Sequence, residues 1–307
     1  MKLNAIVAFV LVVAAVCASA AAPSGKIAEF TCSGYDGAST LANFPVLVRL
    51  ADDSPAGFRY ADMLSSSSGD ELRFQDEGGE AVPFEIERWN PSGESLVWVG
   101  LPKVSKNTVF TMSYGKAPEG SALSAAGVWS PYVGVWHMDE ASGAVADATG
   151  HGLAATPNVE QTSGAGVIGA ARVNATGGTK SYLVVPSYDL FSVGDTFSVS
   201  GWVKATADPT GCRIFARMVH YFDDGFACTL DGFNKVSVCG KAYNTTVVAD
   251  TPSMNGQWVH LAVSYAGATA TIYANGVQVA SGSIAKVEDN NQSLTIGSVS
   301  GVGGTHF

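Results

Sequence analysis

No stretch of this chain keeps a helical period over three turns, whereas apolar and polar residues alternate in short runs along most of its length, bounded by Gly, Asn, Asp and Ser. A period of two puts successive side chains on opposite faces, so such runs are stable only as strands that bury one face against another sheet. In NFPVLVRL, Val46, Val48 and Leu50 share a face. In VPFEIERW, Val82, Phe84 and Ile86 share one face and Glu85 and Glu87 take the other, where they read as solvated outer positions. The expected fold class is all-β, built as two β-sandwiches.

The runs ELRF, SLVWVGL and TVFTMSY complete a first sandwich over residues 24–116. KAPEGSALSAAG, rich in small residues and carrying Pro118, reads as a linker over residues 117–128. From residue 129 the strands lengthen. TFSVSGWVK places Phe197, Val199 and Val203 on one side, and QWVHLAVSY places Val259, Leu261, Val263 and Tyr265 on one side. ATIYANGVQVA turns at Asn275-Gly276, two residues that tolerate positive φ. Residues 129–307 are expected to form a larger sandwich of jelly-roll type.

Residues 1–20 stand apart from the fold. Lys2 precedes the apolar run AIVAFVLVVAAVCA, and Ala18-Ser19-Ala20 supplies the small residues of a signal-peptidase site, so a cleaved secretion signal is expected. Lipidation at Cys17 is the lesser reading, because Val16 is bulky for a lipoprotein site. Export to the cell surface or beyond follows, with no membrane span after cleavage. The formal net charge of −10, one unit more negative once Lys2 is removed, repels phosphate backbones and argues against nucleic acid as a partner.

Cys32, Cys212, Cys228 and Cys239 survive cleavage, an even number without CxxC spacing, which in an exported protein favours disulfides. Cys228 and Cys239 flank a hairpin turn at DGFN and are expected to be bonded across paired strands. Cys32 with Cys212 is left by elimination.

The motifs then resemble known families. GYDGASTLANFPVLVRL, ELRFQDEGG, FEIERWNPSG, SLVWVGLP and SYG together resemble the domain-of-unknown-function family 2341, a β-rich module of secreted bacterial proteins without established catalytic residues. VWHMDE, DATGHG, FSVSGWVKA, QWVHLAVSY, IYANGVQVA and LTIGS resemble the LamG-like jelly-roll domains of the concanavalin A-like lectin/glucanase superfamily. That resemblance implies a carbohydrate- or protein-binding module, often an accessory to larger surface proteins. It also implies a glycine-led final strand where this chain stops at GVGGTHF. The expectation is therefore a jelly roll truncated at its C-terminus, with the strand at 133–138 at a sheet edge or poorly paired.

GVWHMDEASGAVADATGHG, residues 134–152, gathers His137, His151, Asp139, Glu140 and Asp147. On a strand, His137 and Asp139 point one way while Trp136 and Met138 point into the core. Two ligands on one strand do not complete a zinc site and there is no HExxH, so a structural role is expected. In DATGHG, Asp147 is either a ligand of a hard cation such as calcium or the acceptor of an Asx-type turn from the amides of Thr149 or Gly150.

Glucanases of the superfamily carry E-x-D-x-x-E, and no glutamate here has aspartate two positions later, so the chain reads as non-enzymatic with no cofactor required. GAGVIG, Gly164 to Gly169, matches GxGxxG by letter but reads as a loop between strands, without the strand and helix a dinucleotide site needs. Sugar recognition would use exposed aromatics beside Asp or Asn. HYFDDG offers Tyr221, Phe222, Asp223 and Asp224, and AYNTT offers Tyr243 and Asn244, unless these rings merely cover a loop edge. Trp202 and Trp258, set in regular strands, read as packing residues.

The functional expectation is a secreted or surface binding and adhesion module, with a glycan or cell-surface ligand as partner. Its rivals are an accessory fragment of a larger glycosidase or sialidase, and a structural spacer.

Overall fold

The computed structural model describes residues 12–15, 25–35, 39–118, 124–174, 181–186, 196–218, 225–241, 245–288 and 292–297. The fold is nearly all antiparallel β and divides into two compact units. One runs up to His137 and includes Ala148–Gly152, and the other comprises Met138–Asp147 and the chain from Leu153.

The first unit holds β1 (Val12–Ala15), β2 (Lys26–Cys32), β3 (Leu41–Leu50), β4 (Arg73–Asp76), β5 (Ala81–Val82), β6 (Phe84–Arg88), β7 (Ser95–Val104), β8 (Val109–Tyr114) and the short helix α1 (Ala125–Val128). They form sheets of order β1-β2-β8-β4-β5 and β3-β7-β6. The alternation in the sequence sets the inner faces. Val46, Val48, Leu50, Phe84, Val97 and Val99 are all buried. Between the sheets, Phe74 of β4 meets Phe84 of β6 at 5.3 Å, and Phe30 stacks on Phe110 at 5.1 Å. Burying such rings is the main stabilisation of a sandwich of this size.

The segment read as a linker is partly structured. Ser124 caps α1 by accepting from the Gly127 amide at 3.1 Å, and α1 packs on β6 and β7. The approach is close. A Cβ on Gly100 of β7 would lie 3.0 Å from the Cα of Val128, and one on Gly127 would lie 2.8 Å from Pro83 Cβ. Trp129 to His137, nine residues from the boundary expected at 129, continue in the first unit.

Residues 133–138 are not a strand. Met138 has φ of 66°, which ends any two-residue alternation, and Trp136 and Met138 are half-buried instead of filling a core. The Val135 carbonyl accepts from Ala148 N at 2.9 Å.

The second unit holds β9 (Thr156–Pro157), β10 (Thr162–Ala165), β11 (Ala170–Val173), β12 (Leu183–Val185), β13 (Thr196–Val203), β14 (Cys212–Ala216), β15 (Ala227–Leu230), β16 (Lys235–Cys239), β17 (Thr246–Asp250), β18 (Val259–Ala266), β19 (Thr269–Ala274), β20 (Val277–Ser283) and β21 (Leu294–Ile296). Its main sheets have the orders β17-β16-β15-β14-β21-β12-β9 and β13-β18-β19-β20. Phe197 stacks on Tyr265 at 4.4 Å and Phe226 closes on Tyr265 at 5.4 Å. Asn275 and Gly276, at φ of 49° and 81°, make the expected turn between β19 and β20. GAGVIG is the end and turn of the β10–β11 hairpin, with Gly166 N donating to Gly169 O, and ARV after it is a strand.

The four cysteines Cys32, Cys212, Cys228 and Cys239 are buried and free, which corrects the expected bond between Cys228 and Cys239. The DGFN hairpin forms, but its register sets Cys228 opposite Val238 and Cys239 opposite Ala227. A slip of one residue sends the two thiols to opposite faces of the sheet. Among the described residues, no helix is long and apolar enough to cross a membrane.

Candidate functional site

On the outer face of the β3-β7-β6 sheet, Glu85 and Glu87 project from β6 two residues apart, beside Trp98 of β7, whose Cα partner is Glu85. Two carboxylates on one face repel unless something neutralises them. Here the chain after α1 does so. His137 places Nε2 3.1 Å from Glu85 Oε2 and Nδ1 2.8 Å from Glu87 Oε2. Trp98 Nε1 donates to Glu87 Oε2 at 2.9 Å, and Trp129 Nε1 donates to Glu85 Oε2. Trp129 lies edge-on to Trp98 at 5.2 Å and packs on the His137 ring at 5.5 Å.

The Glu87 side chain is 1% exposed, that of Glu85 15% and that of His137 17%. The reading of both glutamates as solvated is thereby corrected. The alternation assigned their face, but the face is covered by a segment distant in sequence. Burial by itself lowers the pKa of His137, yet its hydrogen bonds to Glu85 and Glu87 and their charges outweigh burial and push it up to about 10. With a carboxylate at each ring nitrogen, the ring is an imidazolium that donates twice.

That geometry limits the chemistry. A general base needs an available lone pair near neutral pH, and both His137 nitrogens carry protons. A metal needs its ligand atoms to converge on one point, whereas Glu85 and Glu87 bind opposite sides of the ring. Among the described residues no group of three or more His, Cys, Asp or Glu is arranged to hold a metal ion. A retaining glycosidase needs one carboxylate as nucleophile and one as acid, and here each Oε2 is held by a ring nitrogen and an indole.

The other members of the 134–152 stretch scatter. His151 Nδ1 lies 3.0 Å from the Val133 carbonyl and 3.0 Å from Thr149 Oγ1 in the first unit. In the second unit, Glu140 Oε1 accepts from Ala146 N at 2.6 Å, and its Oε2 lies 3.6 Å from Arg172 Nη2. Asp147 Oδ2 accepts from Leu153 N at 3.2 Å. Tyr221, Asp223, Asp224, Tyr243 and Asn244, with Phe222, lie outside the described residues. Trp258 carries Lys204 Nζ 4.8 Å from its ring centre, and Trp202 stands edge-on to His260 at 5.2 Å.

His260, paired across strands with Trp202, was not singled out by its sequence. It is buried, its Nδ1 has no hydrogen-bond partner among the described residues, and burial lowers its pKa to about 4. It alternates with Val259 and Leu261 along β18, and residues on both faces of that strand are buried.

Residues 176–307 match the family model of the concanavalin A-like lectin/glucanases superfamily. Those residues fall within the second unit. Among solved structures, the carbohydrate binding module CBM66 from Bacillus subtilis is 14% identical, covering 44% of this chain and 83% of its own, with a TM-score of 0.29. Domains LG4-5 of the mouse laminin alpha1 chain are 12% identical, covering 95% of this chain and 88% of their own, with a TM-score of 0.35. Likenesses at these scores carry no argument about ligand or activity. No curated protein matches the chain in sequence.

Proposed function

We propose that this chain is an exported, non-catalytic binding module whose ligand class is carbohydrate. The observation that carries the reading is the match of residues 176–307 to a superfamily of lectins and glucanases, in a chain without the E-x-D-x-x-E that glucan hydrolysis needs. The lectin branch of that chemistry is the one these residues can supply. Tyr221 and Tyr243 are the stacking rings, with Asp223, Asp224 and Asn244 taking hydroxyls. Asp147 is a calcium ligand only if the cation adds to the turn it already anchors.

The first unit, similar in its motifs to family 2341, serves as a non-catalytic carrier. Cleavage after residue 20 would remove β1 and leave β2 as the edge of its sheet. The test is a panel of immobilised polysaccharides probed with the full chain with and without calcium. Retention on at least one glycan, weakened tenfold or more by Tyr221→Ala or Tyr243→Ala with an unchanged circular-dichroism spectrum, is expected. Retention on none, or release of reducing sugar from any, overturns the reading.

A further inference from the structure

We propose that Glu85, Glu87 and His137 form a proton-dependent latch that seats residues 129–137 on the outer face of the β3-β7-β6 sheet, at the point where the chain leaves the first unit. This does not depend on the carbohydrate reading. Three observations converge on it. The segment reaches the sheet through close backbone approach at Gly100 and Gly127, so its start is fixed by shape. Its far end has no strand pairing with β3, β7 or β6; the Val133 and Val135 carbonyls meet His151 Nδ1 and Ala148 N, and among the described residues His137 is the ionisable side chain of the segment that ties it to the sheet, with Trp129 and Trp98 donating to the same two carboxylates. The net charge of the cluster is one negative only while the imidazole is doubly protonated. Remove that proton and two buried carboxylates face each other with one N–H fewer between them.

Among the described residues, these groups face the imidazole. From β6 they are Glu85 and Glu87, and from β7 the indole of Trp98. From the segment itself it is Trp129, with Tyr132 packed on that ring at 5.4 Å. Helix α1, of sequence AAGV, has no ionisable side chain, and Arg49 of β3 is bound to Glu94. The proton on His137 is thus governed by the two glutamates. The raised pKa of His137 agrees with this, since it keeps the latch shut throughout the neutral range. Losing one glutamate charge brings the ring back toward its ordinary value and moves the opening into that range.

Chymotrypsin applied to the full chain between pH 6.5 and 9 reads the latch directly, because Trp129, Tyr132 and Trp136 are cleavage sites within the segment. Wild type is expected to resist cleavage there at every pH. His137→Gln is expected to be cut at least tenfold faster at every pH. Glu87→Gln is expected to resist at pH 6.5 and to be cut at least tenfold faster at pH 9, after correction for the protease's own profile. A Glu87→Gln variant without that pH response, or a His137→Gln variant as resistant as wild type, overturns the proposal. Should either substitution unfold the first unit, the wild-type chain decides. Nitrogen-15 spectra at pH 8.5 that show both His137 ring nitrogens protonated support the latch, and a neutral ring sinks it.

Discussion

His137 and His260 lie buried in different units, and burial pulls both rings the same way, toward the neutral form. They nevertheless end on opposite sides of the ordinary histidine value. His137 meets a carboxylate at each nitrogen and rises to about 10, whereas His260 has Trp202 against its ring and an Nδ1 without a partner and falls to about 4. Opposite charge on two histidines that burial pulls the same way shows that the partners decide what such a histidine is. One is the cation shared by a pair of carboxylates, and the other is a neutral aromatic filler.

The largest effect that could break this contrast is removal of the cation. His137→Leu leaves Glu85 and Glu87 buried without their counter-charge, and breaking such a set costs roughly 3–5 kcal/mol. Denaturant unfolding of the full chain should show that loss in the first unit, while His260→Leu at pH 7 changes stability far less. Equal losses from the two substitutions would remove the distinction.

Acid sharpens it from the other side. The folded pKa of His260 lies below its unfolded value, so the stability tied to its neutral ring is whole above about pH 6.5 and drains as pH falls toward 4, by roughly 3 kcal/mol at most. The folded pKa of His137 is raised, so its contribution is whole below about pH 6.5 and is lost as pH climbs toward 10. Melting followed from pH 7 to pH 4 should weaken the second unit in wild type and less so in His260→Leu. A smaller effect is expected from Gly100→Ala, whose Cβ would press on Val128 Cα at 3.0 Å and Pro83 Cγ at 3.2 Å. Lifting α1 off β7 should cost on the order of 1–2 kcal/mol in the first unit and nothing in the second.

Much of the frame is legible in the sequence because it rests on local periodicity. The inward set Val46, Val48 and Leu50 follows from alternation, and the turn at Asn275-Gly276 follows from residues that accept positive φ. What the sequence hides is set by distance and register. Alternation places Glu85 and Glu87 outward, but their partner His137 is 52 residues from Glu85, and nothing local distinguishes a solvated outer face from one covered later in the chain. His260 alternates with the inward set Val259, Leu261 and Val263, and its burial likewise depends on cover from other elements. The Cys228 and Cys239 expectation failed on a single residue of register, which the DGFN turn does not disclose. Met138 broke the strand expected at 133–138 through a positive φ that its side chain does not favour. Of the candidate binding loops, Tyr221 to Asp224 and Tyr243 to Asn244 can be named from sequence but fall outside the described residues.

The most direct test of the contrast is one nuclear magnetic resonance titration of the ring resonances of His137 and His260 in the same sample between pH 4 and 10.5. The account predicts that His137 stays protonated until the pH nears 10 and that His260 stays neutral until it nears 4. Two histidines that both titrate near 6.5 would contradict it.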